Sequence, residues 1–241
     1  QITGGIVDTG NRYTGNYDRP DLKRGLYRDV GEEFVTGFQK SSDLVYNRLT
    51  ELDTKGKIVM ETNINGYFFL YNCIQNVERD CLYIITDRYP EMLRMYKQLI
   101  ETLELDLNIL FLADDSDHFP IKDGCVDVLL DFYGSNEQVI YKQRSFIQEY
   151  RRYLKDTAVI LGALFGFEGN SVSVHQVSKY YPECSPIAMD MKKMIHTYEE
   201  SGYMVQPMEV AVSLKTYNKY SFACHQDGEK LLQYYYEAWK K

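Results

Sequence analysis

The chain has 241 residues, a net charge of −8 and a pI of about 5.1, and 44% of its residues are hydrophobic. This length suits one large domain or a domain with an extension, and the apolar fraction is sufficient for a packed core. The acidic balance argues against nucleic-acid binding by this domain alone, because such domains usually carry a basic face. The most basic segment, residues 143–155, has the polar–apolar alternation of a solvated helix.

The five cysteines and four histidines show neither CxxC pairs nor the spacing of metal ligands, so we expect no metal site. Most of the cysteines lie in apolar runs, which predicts buried free thiols in a reducing compartment. The sequence has no signal peptide and no apolar run of membrane-spanning length, so we expect a cytoplasmic protein without membrane contact. A start at Gln1 rather than Met suggests that the chain is cut from a longer protein with an additional domain, or that it lacks a disordered start.

Aromatic residues are abundant, with 22 Tyr and 11 Phe. A Tyr-rich core and surface would account for them. An aromatic-lined pocket for a small organic ligand is the alternative that bears on function.

The N-terminal 52 residues are predicted to form an arm and a helical extension, followed by the main domain over residues 53–241. Residues 1–25 are rich in Gly, Asn, Asp and Thr, which favours an extended arm or loop. Residues 29–52 have apolar positions three and four apart, as in an amphipathic helix, and Gly37 is a candidate break.

From residue 53 onward, short apolar runs alternate with helical patterns. This alternation predicts an α/β domain with a doubly wound, mostly parallel sheet. The first predicted strand begins at residue 58, and four more cover residues 81–86, 107–112, 126–132 and 158–165. The predicted helices between them cover residues 66–75, 91–103 and 136–154.

The C-terminal third is predicted to close this sheet. Residues 166–181 are polar and irregular, as in a lid or connection, and residues 186–201 favour a helix that ends at Gly202. Residues 204–214 and 220–224 could pair as antiparallel strands, and residues 229–241 are predicted to form a terminal helix.

Three segments carry a family resemblance: KIVMETNINGYFFL, CLYIITDRYPEML and LNILFLADDSDHFPIKDGCVDVLLDF. Their order and spacing resemble the class I S-adenosylmethionine (SAM) dependent methyltransferases over roughly residues 50–225. The resemblance implies a seven-stranded, Rossmann-like sheet with SAM at the carboxyl ends of the first strands. A different nucleotide-binding enzyme is less favoured, because the sequence contains neither GxGxxG nor GxxxxGK[ST].

The loop after the first strand departs from the family pattern. Glu61 matches the acidic residue that the family places there, and a Gly-rich turn should follow. The sequence instead has Asn63, Asn65 and Tyr67 where glycines are expected, with Gly66 one place out of register. Asn tolerates left-handed backbone geometry, but each of these side chains adds volume where the backbone should approach the cofactor.

Acidic residues at the next two strand ends complete the cofactor site that the resemblance implies. Asp87 matches the residue that binds the ribose hydroxyls, and a carboxylate offers two acceptors to a diol. A turn or helix-capping role before Pro90 is the alternative for Asp87. Asp115, with Ser116 beside it, matches the adenine position, and Asp114 is the alternative. A solvated acidic turn without a binding role would account for this stretch equally well.

The aromatic residue after the fourth strand, Phe132 or Tyr133, would lie beside the methyl-transfer centre. The sequence contains no catalytic signature of a methyltransferase subclass, so the catalytic residues are not assigned.

Two functions follow from these features. The first is a methyltransferase-fold domain with a degenerate SAM site, in which SAM binding is weak or lost. Such a domain would serve as a ligand-binding or regulatory module of a larger protein, for example a transcription regulator with a separate DNA-binding part. The second is an active SAM-dependent methyltransferase that acts on a small molecule or RNA, where SAM supplies the activated methyl and the protein positions the acceptor.

Overall fold

A computed structural model describes residues 2–10, 31–62, 64, 69–114, 119–141, 146–214 and 222–241. Its strands form one sheet, of nine strands in the described residues. They are, in chain order, β1 (Ile2–Thr3), β2 (Ile6–Asp8), β3 (Ile58–Glu61), β4 (Leu82–Asp87), β5 (Asn108–Ala113), β6 (Val126–Phe132), β7 (Leu154–Phe167), β8 (Tyr203–Leu214) and β9 (Lys230–Lys240).

The sheet order is β1-β2-β5-β4-β3-β6-β7-β9-β8. The strands from β2 to β7 pair in parallel, whereas β9 is antiparallel to both of its neighbours, β7 and β8. The predicted doubly wound, mostly parallel sheet is confirmed. Strands β3 to β6 begin at residues 58, 82, 108 and 126, within one residue of the sequence prediction. The apolar runs of these strands are buried, as parallel strands between two helical layers should be.

The seven strands from β3 to β9 are the predicted set, and the other two come from the N-terminal arm. Residues 2–8 were expected to be an arm or loop, but β2 extends the sheet by pairing in parallel with β5. The remainder of the predicted arm, residues 11–25, lies outside the described part.

Helices cover the sheet. They are α1 (Glu32–Glu51), α2 (Phe69–Cys73), α3 (Pro90–Glu101), α4 (Gly134–Tyr141), α5 (Phe146–Tyr150), α6 (Val172–Tyr180) and α7 (Met191–Glu200), and a 3-10 turn at Ile74–Asn76 follows α2. Among the described helices, none is long and apolar enough to cross a membrane.

Helix α1 runs through Gly37 without the predicted break. A Cβ at this position would lie 2.6 Å from the Cβ of Ala211 on β8, so the glycine permits close packing of the helix on the sheet. The helix contacts β7, β8 and β9. The division of the chain at residue 52 stays a prediction.

The predicted terminal helix over residues 229–241 is wrong, because Lys230–Lys240 forms strand β9 between β7 and β8. Tyr and Trp favour strands, and burial on both faces of a central strand hides the period of two that would identify it. The predicted pairing of residues 204–214 with 220–224 is also wrong, because β8 pairs with β9 instead. Of the second segment, residues 222–224 lie in a turn, and residues 220 and 221 are outside the described part.

Two further predictions need correction. Residues 166–181 are not wholly irregular, since α6 lies within them. The single helix over residues 136–154 is described as α4 and α5, with residues 142–145 outside the described part, and Leu154 already belongs to β7.

Candidate ligand site

Parallel strands β3 to β6 bring their carboxyl ends to one edge of the sheet, where ligands of doubly wound folds bind. Five residues considered from the sequence are described there. Each is almost fully covered by protein, with exposed fractions of 2% for Glu61, 2% for Asp87, 1% for Asp114, 3% for Phe132 and 0% for Tyr133. The other predicted site residues lie outside the described part: Asn63, Asn65, Gly66, Tyr67, Asp115 and Ser116.

Glu61 anchors the start of helix α2. Its Oε1 accepts the Phe69 N–H at 3.0 Å, and its Oε2 accepts the Leu70 N–H at 3.3 Å. The Tyr96 hydroxyl donates to Oε2 at 2.9 Å and itself accepts the Tyr71 N–H at 2.8 Å. A carboxylate is well placed at a helix N-terminus, where backbone N–H groups lack partners within the helix. Both oxygens of Glu61 are therefore engaged by the protein.

Burial raises the pKa of Glu61 to about 7, although its three hydrogen-bond donors oppose the shift. Loss of solvation disfavours the charged form more than the donors favour it. The carboxyl group that anchors α2 therefore titrates near neutral pH.

Asp87 forms the turn that leads into α3. Its Oδ1 accepts the Tyr89 N–H at 2.8 Å, and Pro90 begins the helix directly afterwards. Its backbone carbonyl accepts the Asp114 N–H at 3.1 Å, which holds the ends of β4 and β5 together. Asp87 therefore has the turn role that Sequence analysis gave as the alternative. Its role in binding a ribose stays a prediction.

Phe132 packs into a cluster of aromatic rings beneath α1. Its ring centroid lies 4.9 Å from Phe38, 5.0 Å from Phe69 and 4.9 Å from Tyr133. Tyr133 has a left-handed backbone with φ of 62°, and its ring stacks on Phe38 at 5.6 Å. Helix α1 thus covers the carboxyl end of β6, the place that the resemblance assigns to methyl transfer.

A buried hydrogen-bond cluster around Asp131, at the same end of β6, was missed from the sequence. The Asp131 carboxylate accepts the Ser135 N–H at 2.7 Å, the Ser135 hydroxyl, the Tyr198 hydroxyl at 3.1 Å and the Tyr236 hydroxyl. Burial raises the pKa of Asp131, and these donors oppose the shift. Gly162 makes room for the cluster, because a Cβ there would lie 2.5 Å from the Tyr236 ring.

Helix α4 contributes an unusual run of buried polar side chains. Ser135, Asn136, Glu137 and Gln138 are each at most 2% exposed. The sequence prediction placed residues 136–138 at the start of a long helix and gave them no role in the site. One feature of the sequence could have indicated that these polar residues belong to the site: they directly follow a strand, and ligands bind at the carboxyl ends of the strands.

One ion pair joins two strand ends at this edge. The Arg88 Nη2 lies 3.9 Å from the Glu137 Oε2, and the two side chains are 8% and 2% exposed. Arg88 follows β4 and Glu137 lies in the first turn of α4, which follows β6. Because β3 lies between β4 and β6, the pair bridges the carboxyl end of β3.

A pocket of about 700 Å³ lies elsewhere, between the segment after β7 and the start of α7. Its lining includes Asn170, Lys192, His196, Leu232 and Tyr234, and none of the residues predicted from the sequence.

The sheet order from β5 to β8 and the helices on both faces define the class I methyltransferase fold, as the resemblance implied. Three solved structures illustrate the likeness. The MccD protein is 10% identical with a TM-score of 0.61, covering 83% of this chain and 96% of that one. A SAM-dependent methyltransferase from Aquifex aeolicus is 16% identical with a TM-score of 0.57, covering 91% and 98%. The [4+2]-cyclase SpnF is 11% identical with a TM-score of 0.55, covering 71% and 59%.

At these identities the comparison establishes the fold alone. No family model matches the sequence, and no curated protein matches it.

Proposed function

We propose that this chain is a methyltransferase-fold domain whose SAM site is degenerate, and that it serves as a ligand-binding or regulatory module of a larger protein. The observation that carries the proposal is the burial of the side chains that should face a cofactor. Glu61, Asp87 and Phe132 are each at most 3% exposed. A residue that binds a ligand from solvent should be accessible before the ligand arrives. As they stand, these side chains do not fit a bound SAM.

The engagement of Glu61 supports the same conclusion. Three protein donors already use its two oxygens. A ligand that recruited this carboxylate would have to compete with the hydrogen bonds that anchor α2. Each bond to a charged group contributes about 1.5–3 kcal/mol, so the exchange would bring little net affinity.

The loop sequence is a second, independent support. Asn63, Asn65 and Tyr67 replace the glycines of the family pattern. By analogy with overpacked cores, each added side chain costs on the order of 1–3 kcal/mol where a ligand must approach the backbone. Two or three such penalties would move a micromolar site to about millimolar.

The fold by itself does not require methyl transfer, since folds host many unrelated functions. The likeness to SpnF, a [4+2]-cyclase, is consistent with this view. A small organic ligand fits the proposal, and a cytoplasmic location and a role in transcription regulation belong to it as further proposals.

Restoring the glycines tests the proposal. The triple variant Asn63→Gly, Asn65→Gly, Tyr67→Gly should bind SAM at least about tenfold more tightly than the wild type, measured by calorimetry. Adding Asp87→Ala should lower that affinity by about tenfold or more, because the ribose would lose bonds to a charged partner. A folded triple variant that binds SAM no better than the wild type would count against the proposal and favour an active methyltransferase.

A further inference from the structure

We propose that the pocket of about 700 Å³ between β9 and the start of α7 binds a small organic amine, with the ammonium group between Glu168 and the ring of Tyr234. None of the residues that line this pocket belongs to the predicted SAM site. The inference rests on the proposed function only in that it names a ligand for the ligand-binding module.

The walls of the pocket are fixed to one another. The Phe167 N–H donates to the Met189 carbonyl at 2.7 Å, and Phe167 forms a parallel bridge with Asp190. A Cβ at Gly166 would lie 2.8 Å from the Met189 carbonyl oxygen, so the glycine permits this approach. Asp190 then caps α7 by accepting the Lys193 N–H at 3.1 Å. These contacts hold the end of β7 against the start of α7, and a preformed pocket of this volume suits a small molecule.

Apolar side chains line part of the pocket. Strand β9 contributes Leu232 and Tyr234, and α7 contributes Met191 and Ile195. Leu232 and Met191 are almost fully buried, whereas Tyr234 and Ile195 are partly buried. The apolar body of a ligand would therefore displace water from these side chains, which favours binding.

Two carboxylates lie beside Tyr234. Glu209 of β8 is its direct partner in the antiparallel pairing of β8 with β9, so the two side chains share one face of the sheet. Glu168, from the segment after β7, lines the pocket together with Tyr234. Burial raises the pKa of Tyr234, and the nearby Glu209 and Glu168 carboxylates raise it further. The neutral ring therefore lies in a negative potential, which favours a cation over its face.

The carboxylate of Glu168 is available to such a cation. Other charged groups of the pocket contact one another: Lys193 pairs with Asp190 at 3.1 Å, and His196 contacts Glu199 at 3.1 Å. The Glu168 side chain, in contrast, makes neither a hydrogen bond nor an ion pair within the described part of the chain.

Lys192 is the feature that would favour an anion instead. It lines the pocket and is exposed, and none of the described carboxylates pairs with it. A ligand anion at Lys192 would, however, share the pocket with the carboxylates of Glu168 and Glu199. Binding of an anion is therefore the competing outcome of the test.

The chemistry of the pocket also favours an organic cation over a metal ion. Among the described residues, no group of three or more His, Cys, Asp or Glu side chains could hold a metal. An ammonium group can donate to Glu168 while it lies over the Tyr234 ring, and its apolar body fits against Leu232 and Ile195. A primary amine with an aromatic or aliphatic body therefore matches the pocket.

Three compounds with the same phenylethyl body test the charge preference by calorimetry. They are 2-phenylethylamine, 2-phenylethanol and 3-phenylpropionate, which carry an ammonium, a hydroxyl and a carboxylate group. The wild type should bind one equivalent of the amine with a Kd of about 1 mM or lower, which suits a compound of this size. The alcohol and the acid should bind at least about tenfold more weakly, because neither has a cation for Glu168 and Tyr234.

Substitutions locate the site. Glu168→Gln removes the carboxylate and keeps the shape, and should weaken binding of the amine by about fivefold or more while changing that of the alcohol by less than about twofold. Tyr234→Leu should weaken binding of the amine by about threefold because the aromatic face is lost, whereas Tyr234→Phe should retain it within about twofold. Glu91→Gln is the control: it neutralises an exposed carboxylate that pairs with Arg94 at 3.2 Å on α3, and should leave all affinities unchanged.

Binding of the acid as tight as that of the amine would overturn the inference and assign the pocket to an anion. Equal binding of the amine and the alcohol, no binding of the amine by the wild type, or an undiminished affinity in Glu168→Gln would also overturn it. Glu168 is exposed, so this substitution should leave the fold intact even if Tyr234→Leu does not fold. The affinity for SAM decides the proposed function, whereas the ratios among these three compounds decide the inference.

Discussion

Among single residues, Glu61 links the sequence pattern to a measurable property. The family resemblance marks it as the acidic residue of a cofactor loop, and the structure uses it to hold the first turn of α2. Burial raises its pKa to about 7 from the ordinary value of 4.5. The residue therefore titrates in a range where most carboxyl groups are fully ionised.

Stability should fall with rising pH because of Glu61. Its folded pKa is the higher one, so the folded state binds more protons between pH 4.5 and 7, and the stabilisation present below pH 4.5 is lost as pH rises toward 7. The unfolding free energy of the wild type minus that of Glu61→Gln should decrease by ~2–3 kcal/mol from pH 5 to pH 8, measured by urea denaturation. A difference that does not vary with pH would contradict the assignment.

The Tyr236 hydroxyl should contribute to stability through Asp131. Tyr236→Phe removes one donor from a buried carboxylate, which should cost about 1–3 kcal/mol in urea denaturation. Tyr234→Phe is the matched control on the same strand, because its hydroxyl makes no hydrogen bond in the described part of the chain. Its effect should stay within about 0.5 kcal/mol. Equal effects of the two changes would show that the cluster is not stabilising.

At the scale of elements, α1 determines how the carboxyl edge is covered. The helix places Phe34 and Phe38 over the end of β6, and Gln233 of β9 donates to the Phe34 carbonyl at 3.1 Å and to the Tyr133 hydroxyl at 3.2 Å. Gly37 allows this approach, since α1 lies against Ala211 and Gln233. The close packing of α1 therefore belongs to the architecture of the site.

Gly37→Ala should destabilise the protein, although this change in a helix interior usually stabilises by ~0.5–1 kcal/mol. The added methyl would lie 2.6 Å from the Ala211 Cβ, and moving the nearby Gln233 side chain would break its two hydrogen bonds. We expect a net loss of about 1–3 kcal/mol in urea denaturation. Val35→Ala, at a position of α1 that is 56% exposed, should be nearly neutral. A stabilised Gly37→Ala would show that α1 packs more loosely.

The elements also show what the sequence could predict. Strands β3 to β6 were located within one residue, because buried parallel strands are continuous apolar runs that end in loops. Strand β9 was mistaken for a helix, because its Tyr and Leu residues are buried on both faces and give no alternating pattern. The buried polar start of α4 was missed, because Glu137 and Gln138 are of residue types that are normally exposed. Tertiary packing, which decides both cases, is not encoded in local pattern.

At the scale of the whole molecule, the methyltransferase fold is intact while its ligand edge is covered. The seven strands from β3 to β9 retain the parallel core with its antiparallel closing pair, and the N-terminal strands extend the opposite edge of the sheet. The described side chains at the carboxyl edge have partners within the protein: Glu61 accepts from the backbone at the start of α2, Asp87 accepts from the backbone of its own turn, and Arg88 pairs with Glu137. We propose from these contacts that the methyltransferase fold is retained while SAM binding is weakened.

Titration of the wild-type protein with SAM and S-adenosylhomocysteine by calorimetry tests this claim most directly. The covered edge and the loop without its glycines predict a Kd near millimolar, since penalties of ~1–3 kcal/mol at two or three positions weaken a micromolar site by about a thousandfold. One equivalent of SAM bound with a low-micromolar Kd would contradict the account, and an active methyltransferase would then be the better description.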